Sequence, residues 1–476
     1  MDVWVDRELD GCHFPDVRLK SRMGKLLKSL GEKIGDSLPT ACQDWAATKA
    51  AYRFIDNERV SEKEILGGHF QATRERFTSA EGPILVLHDT TEFSYTRSDT
   101  QAIGKTHKVA RGQKDSKGRQ RMHTVCGLLM HSSLVVTPEG LPLGLAAIKL
   151  WTRKKFKGLN ALMGRGPDGS SKHSVNTTRI PIEKKESIRW LENVRQSTEL
   201  LGDTKRCVHI GDRESDIYEL FGECESLGSQ FVFRTCVDRR SGDGEQTVAK
   251  TMRRQPIKAV HRVEVLDTKG QPSTAVLELK YHRLAVCPPI GKEKRYAGMT
   301  LTVIHATERG KPKHREPIEW KLITNLPVAS KAAAVEKLDW YAMRWKIETF
   351  HKILKSGCRA EESKLRTAER LANLIALLCI LAWRILWLTM VNRVSPELPA
   401  RLIFTDTEIK LLARLIPMKT DARKKTVGQF LVRLAKLGGY LGRTRDSPPG
   451  NMVIWRGMSR LTDIHLGFNL AEDVGN

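Results

Sequence analysis

YAMRWKIETFHKILK, residues 341–355, is the stretch from which the rest of the chain is read. Met343, Ile347, Phe350 and Leu354 recur at steps of four, three and four, which predicts one helix with an apolar stripe facing inward. Tyr341, Arg344, Glu348 and Lys355 keep the same period alongside it, so a phenol, a guanidinium, a carboxylate and an ammonium share the neighbouring stripe. One acid among bases suits a site for phosphate and metal. A solvated helix face laced with ion pairs gives the same pattern.

Two more acids follow hydrophobic runs. PILVLH (83–88) gives way to Asp89-Thr90-Thr91, and KRCVHI (205–210) gives way to Gly211-Asp212, so both runs read as strands ending at an acid. Beyond Asp212, the spacing of Ile217, Leu220, Phe221 and Cys224 is helical, which places Asp212 where a strand hands over to a helix. A turn or N-cap aspartate accounts for either acid taken alone.

Together the three blocks carry a resemblance. HDTTEFSY (88–95), GDRESDIY (211–218) and the set Tyr341, Arg344, Glu348 and Lys355 resemble, in this order, the signature of the insertion-sequence-four family of bacterial transposases. TKAAYRFIDNERVS (48–61) extends the similarity, which runs in patches from about Gln43 to about Gly457. The resemblance implies an α/β protein: a ribonuclease H-like catalytic core with a β-rich insertion, an N-terminal helical DNA-binding domain and a C-terminal helical dimerisation domain. It implies Asp89, Asp212 and Glu348 as catalytic acids and metal ligands, with Asp89 bridging. Tyr341, Arg344, Lys352, Lys355 and Arg234 are the implied DNA contacts. Trp320 lies 21 residues before Tyr341, where relatives place a tryptophan that stacks on a flipped base. A tryptophan buried in a strand is the competing reading.

The implied activity is cut-and-paste transposition by a DNA-induced homodimer: cleavage at the 3′ end, a hairpin, its opening, and strand transfer into target DNA. In-line phosphoryl transfer is served by two Mg²⁺ ions about 3.5–4 Å apart, one at each oxygen. Mn²⁺ is expected to substitute, and carboxylates are apt ligands for such hard ions. A non-catalytic DNA-binding protein, whether a decayed copy or an inhibitor of transposition, is one rival, and a nuclease that cuts without joining is another. The intact acids and the full set of N-terminal helices speak against the first.

Composition agrees with a polyanionic partner. Eighty Lys plus Arg against 55 Asp plus Glu give a formal charge of +25 and a pI near 9.7. The opening MDVWVDRELDGC is acidic and lacks the parts of a signal peptide, so a cytoplasmic, nucleoid-associated protein is expected and no membrane. Leu374–Leu388 is apolar but broken by Arg384, which reads as a core helix. Nine cysteines without a C-x-x-C pair indicate neither a zinc site nor a disulfide framework.

With 476 residues the chain needs several structural units, and the expected division is 1–75, 76–236, 237–335, 336–395 and 396–476. These are the DNA-binding domain, the first part of the core, the insertion, the second part of the core with the Glu348 helix, and the dimerisation domain. In the first, residues 16–35 form a basic amphipathic helix, Ala41–Phe54 a second, and Ser61 with Glu64 a capping box opening a third. Residues 107–121 read as a basic linker between strands, and 158–180 as a Gly- and Ser-rich loop. In that loop, Gly164, Gly166 and Gly169 match a nucleotide fingerprint that Pro167 and the missing strand and helix rule out. Ile188–Thr198 reads as a helix and Gln230–Cys236 as a strand. Ala259–Leu266, Ser273–Val286, Met299–Thr307 and Glu319–Ile323 read as strands of the insertion. Leu371–Val391 is a buried helix, Thr405 and Glu408 a capping box, and Val427 to Leu437 an apolar stripe stopped by Gly438-Gly439. His88, His123, His209 and His351 are expected to be structural.

Overall fold

A computed structural model describes residues 3–97, 101–114, 120–153, 180–266, 268, 272–418 and 425–474. Helices come first: α1 (Val3–Leu9), α2 (Val17–Glu32), α3 (Leu38–Cys42), α4 (Trp45–Ile55) and α5 (Glu62–Ser79). On α2 the expected face is buried through Leu19, Met23, Leu26, Leu27 and Leu30. The Ser61 box is present, the Glu64 carboxylate accepting from the Ser61 N–H at 2.9 Å. Ala41–Phe54 is two helices rather than one. Gln43 takes a left-handed φ of 64° and Asp44 caps α4 by accepting from the Ala47 N–H, so the chain turns between them.

The central sheet is assembled from β1 (Ile84–Tyr95), β2 (Lys105–Lys114), β3 (Gln120–Val136), β4 (Pro142–Trp151), β5 (Cys207–Gly211) and β6 (Gln230–Arg234). Between β4 and β5 lies α6 (Ile188–Leu201), and between β5 and β6 lies α7 (Tyr218–Ser226). The order β4-β3-β1-β5-β6, antiparallel up to β1 and parallel after it, is the ribonuclease H-like arrangement that was expected. Two expectations change here. β1 does not stop at Asp89: it pairs with β3 from Leu85–Val136 to Tyr95–Cys126, because Phe93 and Tyr95 continue the buried alternation. Within the supposed linker 107–121, residues 107–114 belong to β2 and 120–121 to the start of β3, a polar sequence whose backbone pairs. The loop read at 158–180 falls, but for residue 180, outside the described residues.

The insertion extends the same sheet. After β7 (Arg240–Ser241), β8 (Gln246–Thr247) and α8 (Val248–Arg254) come β9 (Ala259–Leu266), β10 (Pro272–Val286), β11 (Met299–Glu308) and β12 (Glu319–Thr324). β12 pairs with β6, and β11 and β10 follow outward, giving one sheet of 12 strands.

The chain then forms α9 (Lys331–Ala342), α10 (Trp345–Lys352), a π turn (Ile353–Gly357) and α11 (Ala368–Val394). The stretch 341–355 is therefore divided. Tyr341 ends α9, a tight turn at Met343-Arg344 starts α10, and Lys355 lies on the π turn. Ile347, Phe350 and Leu354 are buried as expected. α11 is long and apolar enough to cross a membrane, but 94% of its most apolar window is buried inside the protein, so it is the core helix anticipated. The chain closes with α12 (Asp406–Leu415), α13 (Val427–Leu437) and α14 (Asn451–Val474), the last unanticipated. Thr405 and Glu408 cap α12 reciprocally.

Candidate active site

The parallel strands set two acids side by side. Leu87 pairs with Ile210, and Asp89, two residues further along β1, comes near enough to Asp212, just past the end of β5, to feel its charge. Asp89 is held by the Thr90 N–H, which donates to its Oδ1 at 2.8 Å. Asp212 caps the turn after β5, its Oδ1 accepting from the Glu214 N–H at 2.9 Å, so the modest N-cap role is real and leaves Oδ2 for other work.

The third acid comes across the sheet face on α10. Glu348 is gripped by Arg344, whose Nη2 donates to Oε1 at 2.6 Å while Nη1 lies 3.9 Å from Asp89. His351 also lies 3.9 Å from Asp89 through Nδ1, and its Nε2 hydrogen-bonds with Ser132 at 2.9 Å. The cluster is short of positive charge. Burial lifts the Asp89 carboxyl to about 7, with Asp212 and Glu348 adding to the push and Arg344 and the Thr90 N–H opposing it.

The other face of β1 carries a buried polar layer. His88 hydrogen-bonds with His209 and with Ser133, each at 2.9 Å, and His131 with Thr90 at 2.9 Å. Burial holds His209 and His351 down to about 3, and His88 and His131 well below their usual value, so all four are neutral. The structural role expected for His88, His209 and His351 holds. The side chain of His123 lies outside the described set.

The remaining residues singled out from sequence fall around this centre. Gly211 pairs with Phe233, so Arg234 stands one strand over from Asp212, donating to the Glu319 carbonyl at 2.9 Å. Trp320 is half-buried on β12 and meets Tyr341 edge to face at 5.2 Å. Tyr341 is only 4% exposed, so its ring lies beneath Trp320 rather than on the surface. Lys352 is exposed, and Lys355 is half-buried with its ammonium 5.7 Å from the Phe93 ring. Glu214 pairs with Arg189, and Asp216 accepts the N–H groups of Cys236 and Val237, which makes both structural. Sequence reasoning missed the approach of His351 and Arg344 to Asp89. Their spacing from Glu348 put them on its face, but nothing local named the aspartate opposite.

Among the described residues no three of His, Cys, Asp and Glu form a ready-made metal cage, and one oxygen of Glu348 is held by Arg344. The donor set still fits a hard divalent cation. It offers carboxylate oxygen alone, and the raised Asp89 shows a site where added positive charge is favoured.

Comparison with known families gives three matches in chain order. Residues 1–60 match the family described as transposase DNA-binding, 154–384 the transposase DDE domain, and 380–473 the transposase Tn5 dimerisation domain. The DDE match contains Asp212 and Glu348 and begins after Asp89.

Proposed function

The chain belongs to the Tn5-like DDE transposases, and from that premise we propose that Asp89, Asp212 and Glu348 are its catalytic and metal-binding acids in a cut-and-paste reaction. Domains of this kind typically use a divalent metal, and Mg²⁺ is the ion this reading assigns, with Mn²⁺ as substitute. The observation that carries the proposal is the approach to Asp89 of Asp212, just past the end of β5, and of Glu348, held by Arg344 on α10. Ions held by these carboxylates would polarise the scissile phosphate and the attacking water or 3′-hydroxyl.

The chain's own residues do the rest. Arg344 engages one oxygen of Glu348 and leaves Oε2 for a metal ion, while its guanidinium carries further N–H groups that can meet a phosphate. Lys352 and Lys355 extend positive charge one and two turns further along the strand of DNA. Trp320, backed by Tyr341, offers a face on which an extruded base can stack during hairpin formation. His351 stays neutral and keeps α10 seated against β3 through Ser132. The same reading keeps the division 1–75, 76–236, 237–335, 336–395 and 396–476, and has two copies pairing two DNA ends in a cytoplasmic, nucleoid-associated complex.

The test uses purified protein, Mg²⁺ and a plasmid carrying the element between its own ends, scored for excision, hairpins and joined products. Asp212→Ala is expected to bind the ends and to cut nothing, and persistent cleavage would refute the triad. Cutting without joining would identify a nuclease instead. Trp320→Ala is expected to lose hairpins while keeping end binding, and equal loss of both would make Trp320 a structural residue.

A further inference from the structure

One side chain ties together the two turns that carry the aspartates. The ladder between β1 and β5 ends at Leu87 and Ile210, before either acid is reached. Past that rung a connection runs through Arg189, in the first turn of α6. Its Nε donates to the Thr90 hydroxyl at 3.2 Å and its Nη2 to Glu214 Oε2 at 2.5 Å. Thr90 and Glu214 are the residues whose backbone N–H groups hold Asp89 Oδ1 and Asp212 Oδ1. Each arm of the guanidinium therefore ends on the residue that fixes one of the acids. Successive strand residues face opposite ways, so Thr90 points away from Asp89 and Arg189 grips it from the α6 side of the sheet.

The guanidinium is itself held. Its Nη1 donates to the Glu186 carbonyl at 3.2 Å, and its carbon lies 5.5 Å from the Trp151 ring, whose Nε1 donates to Glu186 Oε1 at 3.2 Å. Only 12% of the side chain is exposed. A planar fork fastened at three points fixes a separation, which a flexible ammonium does not. That separation matters, because neighbouring carboxylates repel one another and a metal site tolerates misplacement of only about 0.5 Å.

We propose that Arg189 is a positioning residue that sets the distance between Asp89 and Asp212, and through it the affinity of the acid centre for a divalent cation. The proposal rests on the transposase reading above. It gives the start of α6 a task that neither DNA contact nor core packing describes.

Mn²⁺ binding to the full-length protein, followed by loss of the free ion's electron paramagnetic resonance signal, tests this without turnover. Wild type is expected to hold Mn²⁺ at a site that Asp212→Ala lacks. Arg189→Gln is expected to need on the order of 10-fold more Mn²⁺ for half-saturation. The sign is diagnostic, since removal of a nearby positive charge would by Coulomb's law alone tighten a cation. Thr90→Val cuts one arm with no change of charge and is expected to weaken Mn²⁺ several-fold. Combined with Arg189→Gln it is expected to add little, because both break the same link. Arg195→Gln, which removes a surface ion pair with Glu223 on the same helix, is expected to match wild type. Unchanged or tighter binding by Arg189→Gln, even with a lower melting temperature, would overturn the clamp and leave the transposase reading standing. Full recovery by Arg189→Lys would also overturn it, because one ammonium cannot replace a two-armed fork. Equal Mn²⁺ binding by wild type and Asp212→Ala would instead refute the metal assignment on which the clamp depends.

Discussion

Asp89 holds a charge that its surroundings disfavour, because burial and two neighbouring carboxylates act on it together. Folded, it gives up its proton near 7; unfolded, it does so near the ordinary value of about 3.9. Between those values the native state binds more protons than the unfolded one, so this group's contribution to stability falls as pH rises. Asp89→Asn is therefore expected to abolish cleavage and yet stabilise the metal-free fold at about pH 8, by on the order of 1–3 kcal/mol in denaturant titrations, with the gain shrinking towards pH 4. Mg²⁺ is expected to raise the melting temperature of wild type at about pH 8 and not that of Asp89→Asn. An equal effect on both would place the metal elsewhere. At this scale the acids were readable because each sits in a short run of distinctive neighbours. The grip of Arg344 on Glu348 followed from i,i+4 spacing, but its reach to Asp89 spans 255 positions of chain and left no local trace. Nor did the burial of Tyr341, which a helical stripe could not reveal once α9 had ended there.

Among elements, periodicity located helices well and their interruptions poorly. The stripe Met343, Ile347, Phe350, Leu354 kept step across the turn at Met343-Arg344, so one helix and two gave the same pattern. β2 was hidden for a different reason: KTHKVARGQK lacks an apolar face, and its pairing with β3 comes from tertiary context. The C-terminal helices show what only coordinates reveal. α13 and α14 touch backbone to backbone through two glycines. A Cβ on Gly438 would fall 1.9 Å from the Val453 carbonyl oxygen, and one on Gly457 would fall 2.0 Å from that of Leu434. The first glycine read as a helix stop and the second carried no signal. Gly457→Val is expected to pry the helices apart at a cost of roughly 1–3 kcal/mol or more, visible as a lower melting temperature. Because this pair lies in the region matching the dimerisation domain, paired-end complexes on native gels should weaken with it. Unchanged stability would mean that the crossing is looser than the structure has it.

For the whole molecule, α11 is the axis on which the units meet, packing against α2 and α5, against β4, and against α13 and α14. Its apolar run announced a core helix, while the order of the surrounding units came from family resemblance. The four neutral histidines beside β1 set the acid limit of this assembly. Unfolded, each would take up a proton near 6.5, so below that value the unfolded state binds more protons and stability is lost as pH falls. Four such groups outweigh the opposite trend of Asp89. Urea midpoints are expected to drop steeply from about pH 6.5 to 5, and a flat profile would mean that the layer admits protons or water. The continuity of the sheet was beyond the sequence, since β6 and β12 pair across the 84 positions that lie between Arg234 and Glu319. That continuity turns the sheet into a ruler. Three inter-strand steps, about 14 Å, separate the strand bearing Asp89 from the strand bearing Trp320, and hydrogen-bond spacing fixes that interval as rigidly as a crystal repeat. A loop could lengthen between them without altering the measurement, whereas adding or deleting a strand would change which nucleotide is presented for cutting.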